Sequence, residues 1–308
     1  MKTRLKPLFI LSLPRAGSTM LQRLLAVHKD ISTASEPWIL LPYLYTLRKK
    51  GISAEFEYKM MVDAIDDFCL QLPNGADDYL AEIREFALRL YCKASDNGVK
   101  YFLDKTPRYH LIIEELMNLF PNGKFIFLWR NPLSVIASII DTWREGKWEI
   151  DAYKIDLYRG LANLINAHNK YSLLACSVNY ELLVNDPKNE LARVFDYLDL
   201  HFDDQFINDY TSVLLTGRMG DTEGHRKYKT ITKDPIEKWK HTINNPFRKV
   251  WCRRYLRWIG KDRLSSIGYD LLVLLKELDD VRFNQNAFLR DLMHIIKLNL
   301  KHLINQGQ

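Results

Sequence analysis

The sequence is poor in cysteine, and the few it has are scattered. Cys69, Cys92, Cys176 and Cys252 form no C-x-x-C pair, which argues against a zinc site or a disulfide framework and fits a reducing compartment. No uninterrupted apolar stretch reaches the roughly 20 residues of a membrane-spanning helix. Lys2, Arg4 and Lys6 ahead of an apolar run imitate a signal peptide, but the run stops at Pro14-Arg15 without a convincing cleavage site. The expectation is a soluble, cytoplasmic protein. A Gly/Ser linker is also missing, so nothing in the composition splits the chain. Charge of one sign is in modest excess: +6 falls short of a dedicated nucleic-acid binder and suits a polyanionic small molecule. What is there is a globular composition, 47% hydrophobic and 12% aromatic over 308 residues, ample for a buried α/β core.

The organising stretch is Pro7 to His28. Leu8 to Leu13 is an apolar run of the length of one buried strand. Pro14 stops it, and Gly17 supplies the backbone freedom of a tight turn. From Thr19 the period becomes helical, with Met20, Leu21, Leu24, Leu25 and Val27 at helical spacing. Strand, small-residue loop and helix aim backbone N–H groups and a helix N-terminus at an anion. Arg15 adds a fixed positive charge, and Ser18 and Thr19 add hydroxyl donors. The nucleotide-triphosphate loop G-x-x-x-x-G-K-[ST] does not fit, because Gly17 is followed by Ser18 and the cation precedes the glycine. The bland alternative is a tight turn with an incidental Arg.

Further along, Ile31 to Ser35 reads as a second strand, followed by Glu36-Pro37-Trp38. From about Leu40 to Asn97 the pattern is helical, with Met60, Met61, Ala64, Ile65 and Phe68 in one stripe and Leu80, Ile83, Phe86, Ala87 and Leu90 in another. This block is expected to be an insertion over the sheet and a wall for a substrate pocket. Tyr101 to Leu103, Lys124 to Trp129 and Leu173 to Val178 read as further strands, each followed by helical periodicity. The class is α/β: a P-loop-like parallel β-sheet flanked by helices, with its ligand at the carboxyl ends of the strands. Residues 1–275 are expected to form one domain and 276–308 a helical extension.

A second anion signal lies at Lys124 to Asp141. Arg130 closes a strand, Asn131 and Pro132 suit an N-cap and first helical residue, and Ser134 and Ser138 lie one turn apart. Arg130 and Ser138 can converge on one phosphate, the Arg through a fork of hydrogen bonds. Pairing of Arg130 with a neighbour such as Asp141 is the structural alternative.

Pro14-Arg-Ala-Gly-Ser-Thr19 resembles the 5′-phosphosulfate loop of sulfotransferases, which use 3′-phosphoadenosine 5′-phosphosulfate (PAPS) and no metal. Phe125-Ile-Phe-Leu-Trp-Arg-Asn-Pro-Leu-Ser-Val-Ile-Ala-Ser138 is similar to their 3′-phosphate motif, and Val178-Asn-Tyr-Glu-Leu-Leu-Val with Pro187 to a segment whose Tyr lies at the nucleotide in the tyrosylprotein branch. Tyr255 to Tyr269 looks like the closing helix of bacterial members. The resemblance runs from about Leu5 to Asp270 and implies sulfuryl transfer from PAPS to a hydroxyl, less readily an amine, with the product adenosine 3′,5′-bisphosphate (PAP). It assigns Arg15, Ala16, Gly17, Ser18, Thr19, Arg130, Ser138, Tyr180 and Lys238 to the nucleotide. Arg15 and Lys105 go to the transferred group, and Glu36, in Ser35-Glu36-Pro37, is the base. Each has an ordinary alternative: Glu36 capping the helix at Trp38 or pairing with Arg15, Lys105 as a surface Lys. His110 is the second candidate for the base, and His28 is expected to cap a helix end through the dipole.

The basic run Gly217 to Lys240, including Arg218, Gly220, Gly224, Arg226, Lys227, Lys229, Lys233 and Lys238, matches a loop that covers the nucleotide, or else is a solvated charge run. At the C-terminus Ala287, Phe288, Leu292, Ile295, Ile296 and Leu303 form an apolar stripe flanked by Arg290, Lys297 and Lys301. It is expected to pack on the parent domain, with a homodimer contact or a membrane-surface helix as the other readings. The acceptor, whether small molecule, glycan, lipid or peptide, is left open, and no nucleic-acid partner is expected. The rival readings are a P-loop kinase using ATP and a nucleotide-binding interaction protein without turnover.

Overall fold

Five strands, β1 (Lys6–Ser12), β2 (Ile31–Thr33), β3 (Tyr101–Asp104), β4 (Lys124–Trp129) and β5 (Ala175–Asn179), form one sheet in the computed structural model. It describes residues 5–215 and 230–283, with Phe288 and Asp291 beyond them. Every strand pair is parallel, and the order is β2-β3-β1-β4-β5. A parallel sheet needs cover on both faces. Successive side chains of β1 accordingly enter two different cores, Phe9 and Leu11 on one side and Leu8 and Ile10 on the other. Helix α1 (Ser18–Ala26) follows β1 and buries Leu21, Leu24 and Leu25 in the second core.

The helical insertion comprises α2 (Leu40–Tyr45), α3 (Tyr58–Cys69) and α4 (Ala76–Lys93). Its first stripe is rotated from the expected one. Met60 and Phe68 are 68% and 59% exposed, while Tyr58, Val62 and Cys69 are buried. The Tyr58 hydroxyl donates to the Tyr45 carbonyl and pins that side of α3 inward; a hydrophobic run fixes a helix's period, and the anchor chooses its phase. In α4, Ile83, Ala87 and Tyr91 repeat at i, i+4 and i+8 and join the core beneath the sheet.

After β3 a short turn of 3₁₀ helix, Pro107–Leu111, leads into α5 (Ile113–Leu119). Helix α6 (Pro132–Trp143) opens as its sequence predicts, with the Asn131 side chain accepting from the Leu133 N–H at 2.9 Å. Helix α7 (Leu161–Tyr171) precedes β5, which starts at Ala175 because Leu173 and Leu174 remain exposed outside the sheet. Helices α8 (Tyr180–Asn185) and α9 (Pro187–Tyr197) follow directly.

The closing helix expected from Tyr255 to Tyr269 is two helices, Pro246–Ile259 and Lys261–Ser266, broken at Gly260 with φ 85°. Of the C-terminal stripe only Phe288 is among the described residues, stacked on Phe247 with ring centroids 5.3 Å apart. Asp291 is buried and accepts from Arg248 at 2.6 Å. Among the described residues no helix is long and apolar enough to cross a membrane.

Candidate active site

Strand β1 lies between β3 and β4, so Arg15 and Arg130, just past the ends of two adjacent strands, share one cleft, and Lys105, past the end of β3, lies buried behind it and reaches its lining residues Thr19 and Glu36. Neighbouring strands are about 4.8 Å apart, which is the spacing of groups that serve a single ligand. A cleft of about 820 Å³ opens there, over the carboxyl ends of the strands, lined among others by Arg15, Gly17, Ser18, Glu36, Arg130 and Lys238.

The β1–α1 loop holds two left-handed residues, Arg15 (φ 65°) and Gly17 (φ 94°). Ala16 is buried beneath it and contributes backbone alone to any ligand. Helix α1 starts with no side-chain cap, leaving its first N–H groups as donors toward the cleft, beside the Ser18 and Thr19 side chains. Gly17 is required twice over. Besides its positive φ, a Cβ on it would lie 2.4 Å from Cδ2 of the Tyr180 ring. Gly17→Ala is therefore expected to cost about 2–3 kcal/mol in thermal unfolding. Because part of that cost is the clash, Tyr180→Ala in the same chain should recover part of it, giving a non-additive double-mutant cycle.

Arg15 crosses to α6, its Nε donating to Ser138 Oγ at 3.2 Å and an Nη to Thr142 Oγ1 at 3.1 Å. Arg130 donates to the Arg15 carbonyl at 2.8 Å and the Pro235 carbonyl at 3.0 Å, and its guanidinium lies over the Tyr180 ring at 4.5 Å. Its Nε is buried with no hydrogen-bond partner among the described residues. Arg130 and Ser138 thus share the cleft, but the Ser138 hydroxyl is engaged by Arg15. Asp141 takes a hydrogen bond from Thr242 at 2.7 Å, so the suggested pairing of Arg130 with Asp141 is not the one formed.

Glu36 and Lys105 form an ion pair at 2.7 Å. Lys105 is 1% exposed and is far from an ordinary surface Lys; its Nζ also reaches Thr19 Oγ1 at 3.4 Å. The other Glu36 oxygen accepts from the Trp38 indole at 3.2 Å. Glu36 pairs with neither a helix end nor Arg15.

The two histidines stand elsewhere. His28 is packed against Phe195 and Phe206, and its Nδ1 accepts from the Asp30 N–H at 3.0 Å. Burial pushes its pKa down, so it is a neutral acceptor and not the cationic dipole cap that its position at a helix end suggests. His110 is fully buried, 2.7 Å from Asp156 through Nε2, and outside the cleft lining. It cannot reach an acceptor in that cleft as a base.

Lys238 lines the cleft just after the short helix Asp234–Glu237. Arg218, Gly220, Gly224, Arg226, Lys227 and Lys229 lie outside the described residues. Two lining residues escape a motif search. Arg23 is buried and donates to the carbonyls of Thr211 at 2.7 Å and Val213 at 3.1 Å; a charge between Leu21 and Leu24 was the available signal. Thr142 continues the i, i+4 series of Ser134 and Ser138.

The Sulfotransferase family model matches residues 7–204. Nodulation protein NoeE of Sinorhizobium fredii is 32% identical over 85% of this chain and 65% of its own length, so the chain spans just under two thirds of that relative. A putative protein-tyrosine sulfotransferase of Caenorhabditis briggsae is 25% identical, over 66% of this chain and 69% of its own. Among solved structures, the sulfotransferase domain of the curacin biosynthetic pathway superposes with a TM-score of 0.57 at 24% identity, covering 83% of this chain and 98% of that one. Mouse sulfotransferase SULT7A1 complexed with PAP gives 0.50 at 11% identity, with 89% of each chain covered.

Proposed function

The chain belongs to the sulfotransferase family, and from that premise we propose that it transfers a sulfuryl group from PAPS to a hydroxyl acceptor. The observation that carries this is the pair of anion arms on either side of Tyr180: the uncapped start of α1 with Arg15, and the Arg130 guanidinium with its buried, unpartnered Nε. That donor set fits a ligand with two separated phosphate groups. Arg15, the N–H groups of Gly17 to Thr19 and the Ser18 and Thr19 hydroxyls hold the 5′ end; Ala16 supports the loop from below. Arg130 and Ser138 hold the 3′-phosphate, with Tyr180 and Lys238 at the nucleotide.

When bound, PAPS supplies a sulfuryl group already activated on its 5′-phosphate. Glu36 takes the proton of the acceptor hydroxyl as the acceptor oxygen bonds to sulfur, and Arg15 and Lys105 meet the negative charge that passes to the departing 5′-phosphate. The Glu36–Lys105 contact of 2.7 Å aims both groups at one spot. The acceptor is a small molecule or a peptide hydroxyl. Trp143 and Tyr153, with ring centroids 5.2 Å apart on the cleft wall, offer it aromatic faces. The buried Arg248–Asp291 pair supports packing of the C-terminal extension on the parent domain over a membrane or dimer contact.

The test is calorimetric titration with PAP in the absence of metal. Binding at about micromolar or tighter is the expected result. No PAP binding, with ATP·Mg²⁺ binding in its place, would transfer the site to the kinase reading.

A further inference from the structure

Behind the cleft sits a buried acid that the proposed reaction does not use. Asp104, the last residue of β3, is fully buried and accepts three hydroxyl hydrogen bonds: from Tyr91 at 2.6 Å, Thr106 at 2.8 Å and Tyr109 at 3.0 Å. Two of those hydroxyls are relays. Thr106 Oγ1 accepts the Trp38 backbone N–H at 3.3 Å, and the Tyr109 hydroxyl accepts the Leu40 backbone N–H at 3.2 Å. A hydroxyl that gives its proton to a carboxylate presents its lone pairs to another donor, so the two N–H groups read the charge of Asp104 at second hand. The segment so held begins next to Glu36. It includes Trp38 in a left-handed conformation (φ 59°), which a non-glycine residue keeps only when its surroundings impose it. It also returns a hydrogen bond to Glu36 through the indole.

We propose that Asp104 is the positioning residue for Glu36, acting through the Thr106 and Tyr109 hydroxyls on the backbone of Trp38 and Leu40. Lys105, the next residue, orients Glu36 from the other side by direct contact. Asp104 faces Tyr91 and Tyr109, while Lys105, the first residue past the strand, reaches Thr19 and Glu36, so the end of β3 grips the base segment twice, once through Lys105 and once through the relays. The proposal rests on Glu36 being the base, but the geometry it describes can be measured without that assumption.

The ionised form of Asp104 is the one that accepts three hydroxyls. Burial raises its pKa to about 6, against the lowering effect of the hydrogen bonds from Tyr91, Thr106 and Tyr109 and of the Lys105 charge. The groups facing it are Tyr91 from α4, Thr106 and Tyr109 from the turn after β3, and Lys105, the first residue past the strand. Below that pH the carboxyl gains a proton to donate, one hydroxyl must turn, and the relays loosen. The sign for stability is opposite to that of an exposed, paired Asp. A pKa raised on folding means the native state binds more protons between about 4 and 6, so ionised Asp104 opposes folding at neutral pH. A residue kept for packing alone would be better replaced by its neutral isostere.

The experiment is peptide-resolved amide hydrogen exchange on the full chain with PAP bound, for wild type, Asp104→Asn, Thr106→Val and Thr106→Ser, alongside calorimetric PAP affinity and thermal unfolding. Asp104→Asn and Thr106→Val are expected to raise exchange in the peptide spanning 36–41 about tenfold. Thr106→Ser, which keeps the hydroxyl, should retain protection. PAP affinity should stay within about threefold, and the melting temperature of Asp104→Asn should not fall. Wild type taken from pH 7.5 to 5.5 should open the same peptide after correction for intrinsic exchange. Unchanged protection at 36–41, or a rise spread over the whole sheet with a lowered melting temperature, overturns the proposal. Failure of the base assignment shows elsewhere, as Glu36→Gln that still moves sulfuryl between PAPS and 4-nitrophenol at the wild-type rate while the exchange pattern holds.

Discussion

Arg130→Ala is expected to weaken PAP binding by about 100-fold, the loss of roughly 3 kcal/mol of charge-assisted hydrogen bonding, while leaving the melting temperature within a few degrees of wild type. The argument starts from the geometry of one side chain. Arg130 spends two of its donors on the Arg15 and Pro235 carbonyls and rests over the Tyr180 ring, so the guanidinium is already immobilised before a ligand arrives. Its buried Nε has no partner among the described residues, and a buried unpaired donor is a standing cost that an incoming phosphate oxygen removes. Arg130→Lys separates charge from shape. A lysine keeps the positive charge but has no planar fork, and a loss of about tenfold is expected of it by calorimetry at constant ionic strength. If Arg130→Ala binds PAP as well as wild type, the 3′-phosphate arm has been assigned to the wrong residue.

The placement of Arg130 at the cleft was readable in the sequence because the signal is local. Lys-Phe-Ile-Phe-Leu-Trp is a buried strand, Arg130 is the residue that ends it, and Asn131-Pro132 starts the next helix; each step depends on neighbours in the chain. The same holds for Gly17, whose positive φ follows from the turn at Pro14 to Gly17. What could not be read is what depends on contacts across the fold. The Glu36–Lys105 pair joins residues 69 positions apart, and nothing in Ser35-Glu36-Pro37 says which cation it meets. The burial of His110 against Asp156, 46 positions away, is also long-range, and nothing in the residues around Asp-Lys-Thr-Pro encodes it. The rotated face of α3 is an intermediate case. Its apolar residues keep a helical period, but the face turned inward is set by the Tyr58 hydroxyl donating to the Tyr45 carbonyl, which no hydrophobic pattern encodes.

Asp291→Ala is expected to destabilise the protein by about 3–5 kcal/mol, lowering the apparent melting temperature by roughly 10 °C. Asp291 and Arg248 are 3% and 2% exposed. The carboxylate takes two hydrogen bonds from the guanidinium, at 2.6 and 3.0 Å, and a third from Asn245 at 2.9 Å. The same Arg248 donates to the Thr242 and Gly146 carbonyls and lies over Trp148. Removing the carboxylate strands a buried cation, and that stranded charge accounts for most of the cost. Replacing both partners with apolar residues, Arg248→Met with Asp291→Leu, should be much milder than either truncation alone. Deleting everything after Asp280 should reproduce the Asp291→Ala loss in differential scanning calorimetry. Because Thr242 and the Lys238–Trp239 pair line the cleft, the truncated chain should also bind PAP more weakly. A deletion that melts and binds like wild type would show that the extension is dispensable.

The Tyr180 ring stands against both arms of the cleft: it lies where a Cβ on Gly17 would fall, and the Arg130 guanidinium lies over its face. It therefore works as a gauge block between two jaws. An aromatic ring does not compress, so the separation of the arms is fixed by covalent geometry and not by flexible side chains. A ligand whose charges match that span gains from bivalency, because the second contact forms at the high effective concentration created by the first. A ligand with a single phosphate, or with two phosphates in a continuous chain, grips one jaw and misses the other. Selectivity for a bisphosphate over a triphosphate would then be a matter of length, set by a residue that contributes no charge at all.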